Sequence, residues 1–599
     1  MIIQQALAME ARTAKDVLSQ ITSLHQHPHF EQLIEIVTGQ TDVSSAGFPY
    51  ITDTSFRVIR DSVPHLYRQG AAILAWLAFL QDELTRTPPI PKIELESLDR
   101  AIQVLRTVVL TASVTAPPDL WLLKHVFSAH QELGILDWLL SGQALDPEAY
   151  ARDNGLNFRQ LKTDLHFLHS RGYLLKGDRD FTISPNPAIA NVLEQVSATP
   201  AEPRQNLVPL LTQWFSSPGT EPHQLRAWLD LREDDRPTGG WVASHFQVQL
   251  GYRLLPAVLG LRVLEITKEL GRGARLAVHI PNYTAEAGRL FELAGLAEEG
   301  IVNELGARVF ERGPGAFGII AAYHPYVNHL EDHLRSHKIG AWVHRGENVA
   351  ASQDANRKTF EIANDKLDLF CKQYGYQYRV FVEHAAGRGE AIRQRYVRDG
   401  EQGGKYFGAD LEDAAIDQAI GLQEQGILPA TLQFIRSADI GEPDRVIQFL
   451  AGQGLAGDPT VMMVGNGFHE IRNQTNEKMV EVFRGYGHAG FVLIFTEESA
   501  LDDEALLDTA WNTYHAGFRY VHEMSGQGLR PPAEGEHGSQ RWSWRKCGEL
   551  AGYVFLDEFS YRSRTIYPYR GPTPKNPPIS VTYFCVPKQV ALGLGLKSD

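Results

Sequence analysis

The pattern of apolar and polar positions divides the chain into a helical first part and a second part in which strands and helices alternate. Over residues 1–115, apolar residues recur at helical spacing in YRQGAAILAWLAFLQDEL and LDRAIQVLRTVVL, with a polar break at TRTPPIPK. This pattern predicts an all-helical opening domain over residues 1–115.

A different order of elements follows over residues 116–200. HVFSAHQELGILDWLLSG and NFRQLKTDLHFLHSRG have helical patterns, and two short strand-like runs come next, in YLLKGDRDFTIS. Helices followed by a short strand pair are the order of a winged helix. We therefore predict a winged-helix domain over residues 116–200.

A second segment of similar order follows the polar linker SATPAEPRQN. LLPAVLGLRVLEITKEL and AEAGRLFELAGLAEEG are predicted to be helices, and IVNELGARVFERGPGAFGII is predicted to be a wing that runs into a tight RGPG turn. The sequence thus predicts a second winged-helix-like, helical domain over residues 201–335. Connecting helices are predicted over residues 336–370.

From residue 371 to residue 599 the pattern changes to strand, then helix, then strand. The seven predicted strands are YRVFVE, KYFGAD, LQFIRS, TVMMVG, GFVLIFT, GYVFLDEF and ISVTYFCV. Nearly continuous apolar strands that alternate with helices indicate a mostly parallel sheet covered on both faces. We predict a seven-stranded α/β domain of the Rossmann-like type, with the last two strands antiparallel because no helix separates them.

Charge and cysteine content narrow the class of protein. The net charge of −15 argues against nonspecific binding of nucleic acid. The three cysteines are too widely spaced for a disulfide framework, which favours a reducing, cytoplasmic environment. There is neither a basic leader followed by an apolar core nor an apolar run of membrane-spanning length. We expect a cytoplasmic protein that binds neither nucleic acid nor membrane.

Acidic and small residues follow four of the predicted strands. In a parallel sheet, ligands bind beyond the carboxyl ends of the strands. The residues at these ends are Glu383, Ala385, Gly387 and Gly389 after the first strand, Asp410 after the second, Asp439 after the third, and Gly465, Asn466 and His469 after the fourth. We expect these residues to meet at one edge of the sheet.

The spacing of these residues indicates a nucleoside ligand. Asp410 lies 21 residues after Gly389, near the distance between a nucleoside-binding turn and its ribose-binding acid. Asp439 is placed to receive an adenine amino group. Because neither GxGxxG nor GxxxxGK[ST] is present, we expect a ligand with ribose and adenine but without phosphate. S-adenosylmethionine is the common cofactor of that description, and Glu383 can bind its ammonium directly or through water.

The same segments resemble a known family. RVFVEHAAGRGEA resembles motif I of the class I S-adenosylmethionine-dependent methyltransferases, and KYFGAD and RSADIGEPDRV resemble the motifs that follow it. FHEIRNQTNEKM is similar to the histidine–acid segment of small-molecule O-methyltransferases with N-terminal winged-helix dimerisation domains. The resemblance implies a Rossmann-like methyltransferase domain over residues 371–599, a homodimer, and methyl transfer to a small-molecule hydroxyl in specialised metabolism.

The resemblance also implies roles for individual residues. His469 matches the general base that takes the acceptor proton, and Glu497 matches the acid that orients this histidine. The chain departs from the family at Ala385, where motif I has its first glycine, and at His384, where the strand is usually apolar. Glu383 stands where the family usually has aspartate. We predict catalytic roles for His469 and Glu497.

Other interpretations of the sequence stay open. The first is a carbon or nitrogen methyltransferase, which would be metal-assisted or act on a carrier-bound acyl group. The second is an S-adenosylmethionine-binding protein that catalyses a reaction other than methyl transfer. The third is a DNA-binding sensor of a small molecule. We predict no metal site, although His384 and His469 with a carboxylate are a possible one. Most of the aromatic residues between the fifth and sixth strands are expected to lie in the core, and the remainder are candidates to line an acceptor pocket; the set is Trp511, Tyr514, His515, Phe518, Tyr520 and His522.

Overall fold

The structure is a computed structural model. It describes residues 13–27, 30–43, 49–52, 55, 66–86, 90–198, 205–217, 225, 228, 229, 231, 233, 238, 242–335, 343, 346–400, 404–509, 515–531, 541–564 and 578–596. The chain forms two compact units, which we describe separately. Unit 1 is Met1–Ala341, Leu506–Gly517 and Ile566–Asn576, and unit 2 is Trp342–Ala505, Phe518–Thr565 and Pro577–Asp599. The five predicted domains are a finer division than these units and stay predictions.

Unit 1 is mainly helical in its described part. Its helices are α1 (Ala14–Leu18), α2 (Phe30–Val37), α3 (Leu66–Arg86), α4 (Lys92–Glu132), α5 (Ile135–Leu140), α6 (Pro147–Asn154), α7 (Phe158–Ser170), α8 (Pro187–Ala198), α9 (Val208–Ser216), α10 (His245–Val263), α11 (Leu276–His279), α12 (Ala285–Leu293), α13 (Glu304–Ala321), α14 (His324–Val327) and α15 (Leu330–Arg335). Three antiparallel strand pairs accompany them, β1 (Thr41–Val43) with β2 (Pro49–Ile51), β3 (Leu174–Lys176) with β4 (Phe181–Ile183), and β5 (Ala297–Glu298) with β6 (Ile301–Val302). Short 3₁₀ turns occur at Thr22–Gln26 and Ile266–Glu269.

The long helix α4 forms the centre of unit 1. It continues across the predicted boundary at residues 115 and 116, and every side chain from Thr115 to His130 is buried. A helix that is buried all round lies inside a protein rather than on its surface. Pro117 and Pro118 lie inside it, and contacts with α3, α10 and α13 offset the lost backbone hydrogen bonds.

The segment predicted to be the first winged helix contains two capped helices and a strand pair. The carboxylate of Asp146 accepts hydrogen bonds from the first-turn amides of α6, and the side chain of Asn157 does the same for α7. The antiparallel pair β3–β4 follows. This is the order of elements that the sequence predicted, and the winged-helix assignment stays a prediction.

The predicted wing ending at RGPG was wrong. Residues 312–315 lie inside α13, which begins after the side-chain cap of Asn303 and includes Pro314. Leu305, Val309, Phe317 and Ile320 are buried at helical spacing along it. Burial of this apolar stripe therefore outweighed the local turn preference of glycine and proline.

Unit 2 is an α/β unit, in which helices pack against a β-sheet. Its strands are β7 (Val380–His384), β8 (Lys405–Ala409), β9 (Gln433–Ile435), β10 (Thr460–Gly465), β11 (Phe491–Glu498), β12 (Tyr553–Phe555), β13 (Tyr561–Arg564) and β14 (Pro578–Pro587). Its helices are α16 (Gly346–Tyr374), α17 (Glu390–Asp399), α18 (Asp413–Glu424), α19 (Asp444–Gly452), α20 (Asn476–His488), α23 (Trp544–Leu550) and α24 (Lys588–Gly593), with a 3₁₀ turn at Phe468–Glu470. Residues of α21 (Asp503–Thr509) and α22 (His515–Met524) are divided between the two units.

The sheet has eight strands in its described part rather than the seven that were predicted. Its order is β12-β14-β11-β10-β7-β8-β9, and β13 also pairs with β14. The five strands from β7 to β11 are parallel, and β14 is antiparallel to β11, β12 and β13. Both β12 and the extra strand β13 pair with β14. Two short strands therefore lie beside β14, where the sequence predicted only one.

Both faces of the sheet are covered, as the apolar strands predicted. All five residues of β7 are buried, and alternate residues belong to two hydrophobic clusters. Val380 and Val382 belong to one cluster, and Phe381 belongs to the other. The described part of the chain holds no helix with the length and apolar character of a membrane span.

Candidate functional site

The strand order places a crevice between the ends of β7 and β10. The chain passes from β7 to β8 and β9 on one side, then returns to β10 on the other side of β7. In open α/β sheets the crevice at such a reversal, beyond the carboxyl ends of the strands, is where ligands bind. The segments that follow β7 and β10 are therefore the candidate site.

The turn after β7 has a left-handed backbone at three positions. The φ angles are 54° at Ala385, 52° at Gly387 and 76° at Gly389. Glycine adopts this conformation freely, whereas an alanine there is strained. The amide of Gly389 donates to the carbonyl of Ala386 over 2.8 Å, so the turn is tight, and α17 begins directly after it.

The carboxylate of Glu383 is bonded to the start of α17. Its Oε1 accepts a hydrogen bond from the amide of Ala391 (3.1 Å), and its Oε2 accepts one from the amide of Ile392 (2.8 Å). Burial raises the pKa of Glu383 to about 8, although the two backbone hydrogen bonds act in the opposite direction. These contacts hold α17 in place, and the predicted binding of an ammonium by Glu383 stays a prediction.

His384 is a neutral, buried imidazole. Its Nδ1 accepts a hydrogen bond from the amide of Ala385 over 2.9 Å, so the ring proton is on Nε2. Burial lowers the pKa of His384 to about 3. Its Nε2 has no hydrogen-bond partner among the described residues. The ring lies edge-on to Tyr486, with 6.4 Å between centroids.

Asp410 joins the end of β8 to the turn after β7. Its Oδ2 accepts from the amide of Gly387, and its Oδ1 accepts from the amide of Glu412, each over 2.9 Å. Asp410 and the turn predicted to bind a nucleoside are thus in direct contact. Asp439, after β9, is half-buried, and its Oδ1 accepts from the amide of Gly441 over 2.7 Å.

The turn after β10 also contains a left-handed residue that is not glycine. Asn466 has a φ of 57°, and its amide donates to the carbonyl of Thr496 over 2.8 Å. Its side-chain Nδ2 donates to Oδ1 of Asn356 over 3.3 Å. A Cβ at Gly465 would lie 2.5 Å from Cζ of Phe360, so only glycine allows this close approach of α16.

His469 and Glu497 form a buried pair. Nδ1 of His469 lies 2.6 Å from Oε2 of Glu497, and Oε1 of Glu497 accepts from the amide of Phe468 over 2.6 Å. The Nε2 atom of His469 makes no hydrogen bond with a described residue, and 4% of the side chain is exposed. The structure therefore brings together the two residues predicted to act as base and orienting acid.

The carboxylate of Glu497 raises the pKa of His469. Burial lowers the pKa of His469, but the negative charge and hydrogen bond of Glu497, with smaller effects of Glu470 and Glu498, outweigh it, and the net shift is upward. A raised pKa makes the imidazole a stronger base.

Sequence reasoning missed one residue of this site, Asn356, and offered two others, Phe518 and His522, only as candidates. Asn356 has no sequence signal, because it lies in a polar helix outside the strand-end pattern. Phe518 and His522, which the sequence offered as candidates to line an acceptor pocket, have ring centroids 5.8 and 4.8 Å from that of His469. Trp511 and Tyr514 lie outside the described residues. No cluster of three or more His, Cys, Asp or Glu residues with metal-binding geometry occurs in the described part.

Comparisons with known proteins identify solved structures only. No family model matches the chain, and no curated protein matches it. It is similar to the structure of an O-methyltransferase family 2 protein from Planctomyces limnophilus in complex with apigenin. The identity is 11%, the match covers 79% of this chain and 96% of that chain, and the TM-score is 0.32.

Two further structures have similar values. The CurJ carbon methyltransferase is 10% identical over 82% of this chain and 97% of that chain, with a TM-score of 0.34. The S-adenosylmethionine-dependent methyltransferase SibL, in its apo form, is 13% identical over 78% and 96%, with a TM-score of 0.24. Similarity at this level carries no argument about activity, which has to follow from the residues of this chain.

Proposed function

We propose that this protein is an S-adenosylmethionine-dependent methyltransferase that acts on a hydroxyl oxygen of a small molecule. The observation that carries the proposal is the convergence of two groups at one sheet edge. A tight, left-handed turn bonded to Asp410 follows β7, and the buried His469–Glu497 pair follows β10 and ends β11. The first group suits a nucleoside, and the second suits proton removal.

The residues present fit this cofactor. The left-handed backbone at Gly387 and Gly389 lets a ligand approach the main chain, and Asp410, bonded to the amide of Gly387 in this turn, is the candidate for the ribose hydroxyls. Asp439 is the candidate for the adenine amino group. When bound, S-adenosylmethionine supplies an electrophilic methyl group on a sulfonium.

His469 is the proposed general base. With Nδ1–H held by Glu497, the Nε2 lone pair is directed away from the carboxylate and takes the acceptor hydroxyl proton. The negative charge of Glu497 stabilises the imidazolium that forms. Such a base contributes about 10²–10⁴-fold to rate, whereas alignment of donor and acceptor contributes an effective molarity of about 10⁵–10⁸ M. Alignment therefore dominates.

The acceptor is proposed to lie against an aromatic surface. The ring centroids of Phe518 and His522 lie 4.1 Å apart, and each ring makes an edge-on contact with the ring of His469. Flat, apolar molecules with an ionisable hydroxyl suit such a surface. A carbon or nitrogen acceptor is the alternative outcome of the test below.

We also propose that the protein is a cytoplasmic homodimer and that the α6–α7 segment with β3–β4 is a winged helix that contributes to dimerisation. The order of two capped helices and an antiparallel strand pair supports this proposal. Sedimentation of the full chain would measure its mass in solution, and a purely monomeric species would exclude the dimer.

Calorimetry and mass spectrometry test the proposed activity. We expect the full chain to bind S-adenosylmethionine and S-adenosylhomocysteine, and to transfer a deuterated methyl group to a phenolic or alcoholic acceptor from a small-molecule panel. Fragmentation of the product locates the methyl group on oxygen, nitrogen or carbon. Failure of well-folded protein to bind either nucleoside would refute the proposal.

A further inference from the structure

Two asparagine side chains meet at the crevice between β7 and β10. Asn466 follows β10 directly, and Asn356 lies on α16. Nδ2 of Asn466 donates to Oδ1 of Asn356 over 3.3 Å, and Asn356 is only 8% exposed. The two amides therefore form a pair at the place where the strand order reverses.

This hydrogen bond involves one polar atom of each side-chain amide, the nitrogen of Asn466 and the oxygen of Asn356. Oδ1 of Asn466 is buried and has no hydrogen-bond partner in the described part of the chain. Nδ2 of Asn356 likewise donates to no described residue. A buried amide oxygen without a donor costs free energy, so such atoms in native proteins call for a partner such as a ligand or water. The pair offers one acceptor and one donor.

The backbone holds this pair in a defined position. Asn466 has a φ of 57°, a left-handed conformation that asparagine tolerates better than most residues. Its amide is bonded to Thr496, and the contact of Phe360 with Gly465 brings α16 against the end of β10. Strained residues held by their surroundings in this way cluster at ligand sites.

The acid expected to bind an ammonium is already engaged. Both oxygens of Glu383 accept amide hydrogen bonds from α17, and its pKa is raised to about 8 by burial. The open acceptor of Asn466 and the open donor of Asn356 together match an amino acid zwitterion, since an ammonium donates to the first and a carboxylate accepts from the second.

We infer that Asn356 and Asn466 bind the amino acid end of the cofactor, with Oδ1 of Asn466 accepting from its ammonium and Nδ2 of Asn356 donating to its carboxylate. This inference rests on the proposed function and assigns the cofactor's amino acid end to residues other than Glu383. We therefore expect that removing either side-chain amide weakens the binding only of ligands that carry the amino acid group.

Calorimetry with two nucleosides tests the inference. S-adenosylhomocysteine carries the amino acid end, and 5′-methylthioadenosine lacks it. We expect Asn356→Ala and Asn466→Gly each to weaken S-adenosylhomocysteine binding by about 10- to 100-fold, the range for hydrogen bonds to charged groups. Binding of 5′-methylthioadenosine stays as in the unmodified protein. Glycine is chosen at Asn466 because it preserves the left-handed backbone.

Aspartate substitutions sharpen the test, because the added negative charge faces the ligand carboxylate at Asn356 and the ligand ammonium at Asn466. Asn356→Asp places a carboxylate against the ligand carboxylate and weakens S-adenosylhomocysteine binding more than alanine does. Asn466→Asp keeps the acceptor and adds charge toward the ammonium but loses the Nδ2 donor to Asn356, so it weakens binding less than Asn356→Asp does. Asn364→Ala is the matched control, since this buried asparagine of α16 donates to Phe360 instead. It leaves the affinity unchanged.

The outcomes separate the two proposals. If the unmodified protein binds S-adenosylhomocysteine and the Asn356 and Asn466 variants bind it equally well, the inference is wrong and the proposed function stands. If the variants lose affinity for both nucleosides alike, the inference is also wrong, because the amino acid end is then not what they recognise. If the unmodified protein binds neither nucleoside, both proposals fail together. Thermal unfolding of each variant identifies loss of folding.

Discussion

The turns after β7 and β10 use polar side chains in opposite ways. Each contains a left-handed residue that is not glycine, Ala385 in the first and Asn466 in the second. Around the first turn, Glu383 and Asp410 bond to backbone amides of the protein itself. Around the second, Oδ1 of Asn466 and Nε2 of His469 are left without partners among the described residues. The first turn is thus bonded within the protein itself, whereas the second leaves two polar atoms without a described partner.

The largest expected effect comes from the second turn. Replacement of His469 by alanine removes the proposed base, and we expect kcat to fall by about 10²–10⁴-fold while nucleoside affinity is retained. Initial rates and calorimetry measure the two quantities separately. The exposed His488 of α20 provides a control, His488→Ala, which leaves kcat unchanged. Retention of full kcat in His469→Ala would contradict the base assignment.

The next effect comes from the first turn and should appear in binding rather than in chemistry. Asp410→Asn keeps the side-chain size but loses the charge and one acceptor, so Gly387 or the ribose loses a partner. We expect nucleoside affinity to fall by about tenfold or more, since a hydrogen bond to a charged group contributes about 1.5–3 kcal/mol. Asp444→Asn, at an exposed acid, is the control. An unchanged affinity in Asp410→Asn would remove the ribose role.

A pH profile tests the coupling of His469 to Glu497. The base form of His469 is unprotonated, so kcat rises with pH through a pKa that Glu497 holds above its usual value. In Glu497→Gln, burial lowers the pKa of His469 without an opposing carboxylate charge. The midpoint of the pH profile therefore moves to lower pH. The stabilisation from this pairing is present below the unfolded histidine pKa and is lost as pH rises through the folded one. An unmoved midpoint would show that another group titrates.

The smallest effect concerns the strained alanine of the first turn. Ala385→Gly relieves a left-handed conformation that costs about 1–2 kcal/mol, against an entropic cost of about 0.5–1 kcal/mol for glycine. We expect the free energy of unfolding in urea to rise by less than about 1 kcal/mol. Ala386→Gly, next to it but without a positive φ, lowers this free energy instead. Equal effects at both positions would show that the strain is absent.

Much of unit 2 was predictable because its signals are local. The seven predicted strands are present because runs such as TVMMVG are apolar enough to be buried on both faces. The strand-end positions of Glu383 and Asp410 followed from the same pattern. The hydrogen-bond partners of Glu383 could not be predicted in this way. The orientation of α17 in the folded protein decides that backbone amides of this helix, rather than a ligand, bond to the Glu383 carboxylate.

Errors arose where tertiary packing opposed a local preference. RGPG has the composition of a turn, yet its residues continue α13 because the helix buries Val309 and Phe317 on either side. The eighth strand, β13, is short and polar, and its pairing with β14 depends on an edge supplied by residues 14 to 21 positions further along the chain. Neither outcome is encoded within a window of a few residues.

The sequence by itself determined the α/β class of the second part, the strand ends and the candidate pair His469 and Glu497, because hydrophobic periodicity and residue order are local properties. Only the tertiary structure decided which polar atoms form hydrogen bonds within the protein and which have no partner there. The meeting of Asn356 with Asn466 spans 110 residues of chain. Such contacts depend on how helices pack over the sheet, which minimises exposed apolar area over the whole unit rather than in any one segment.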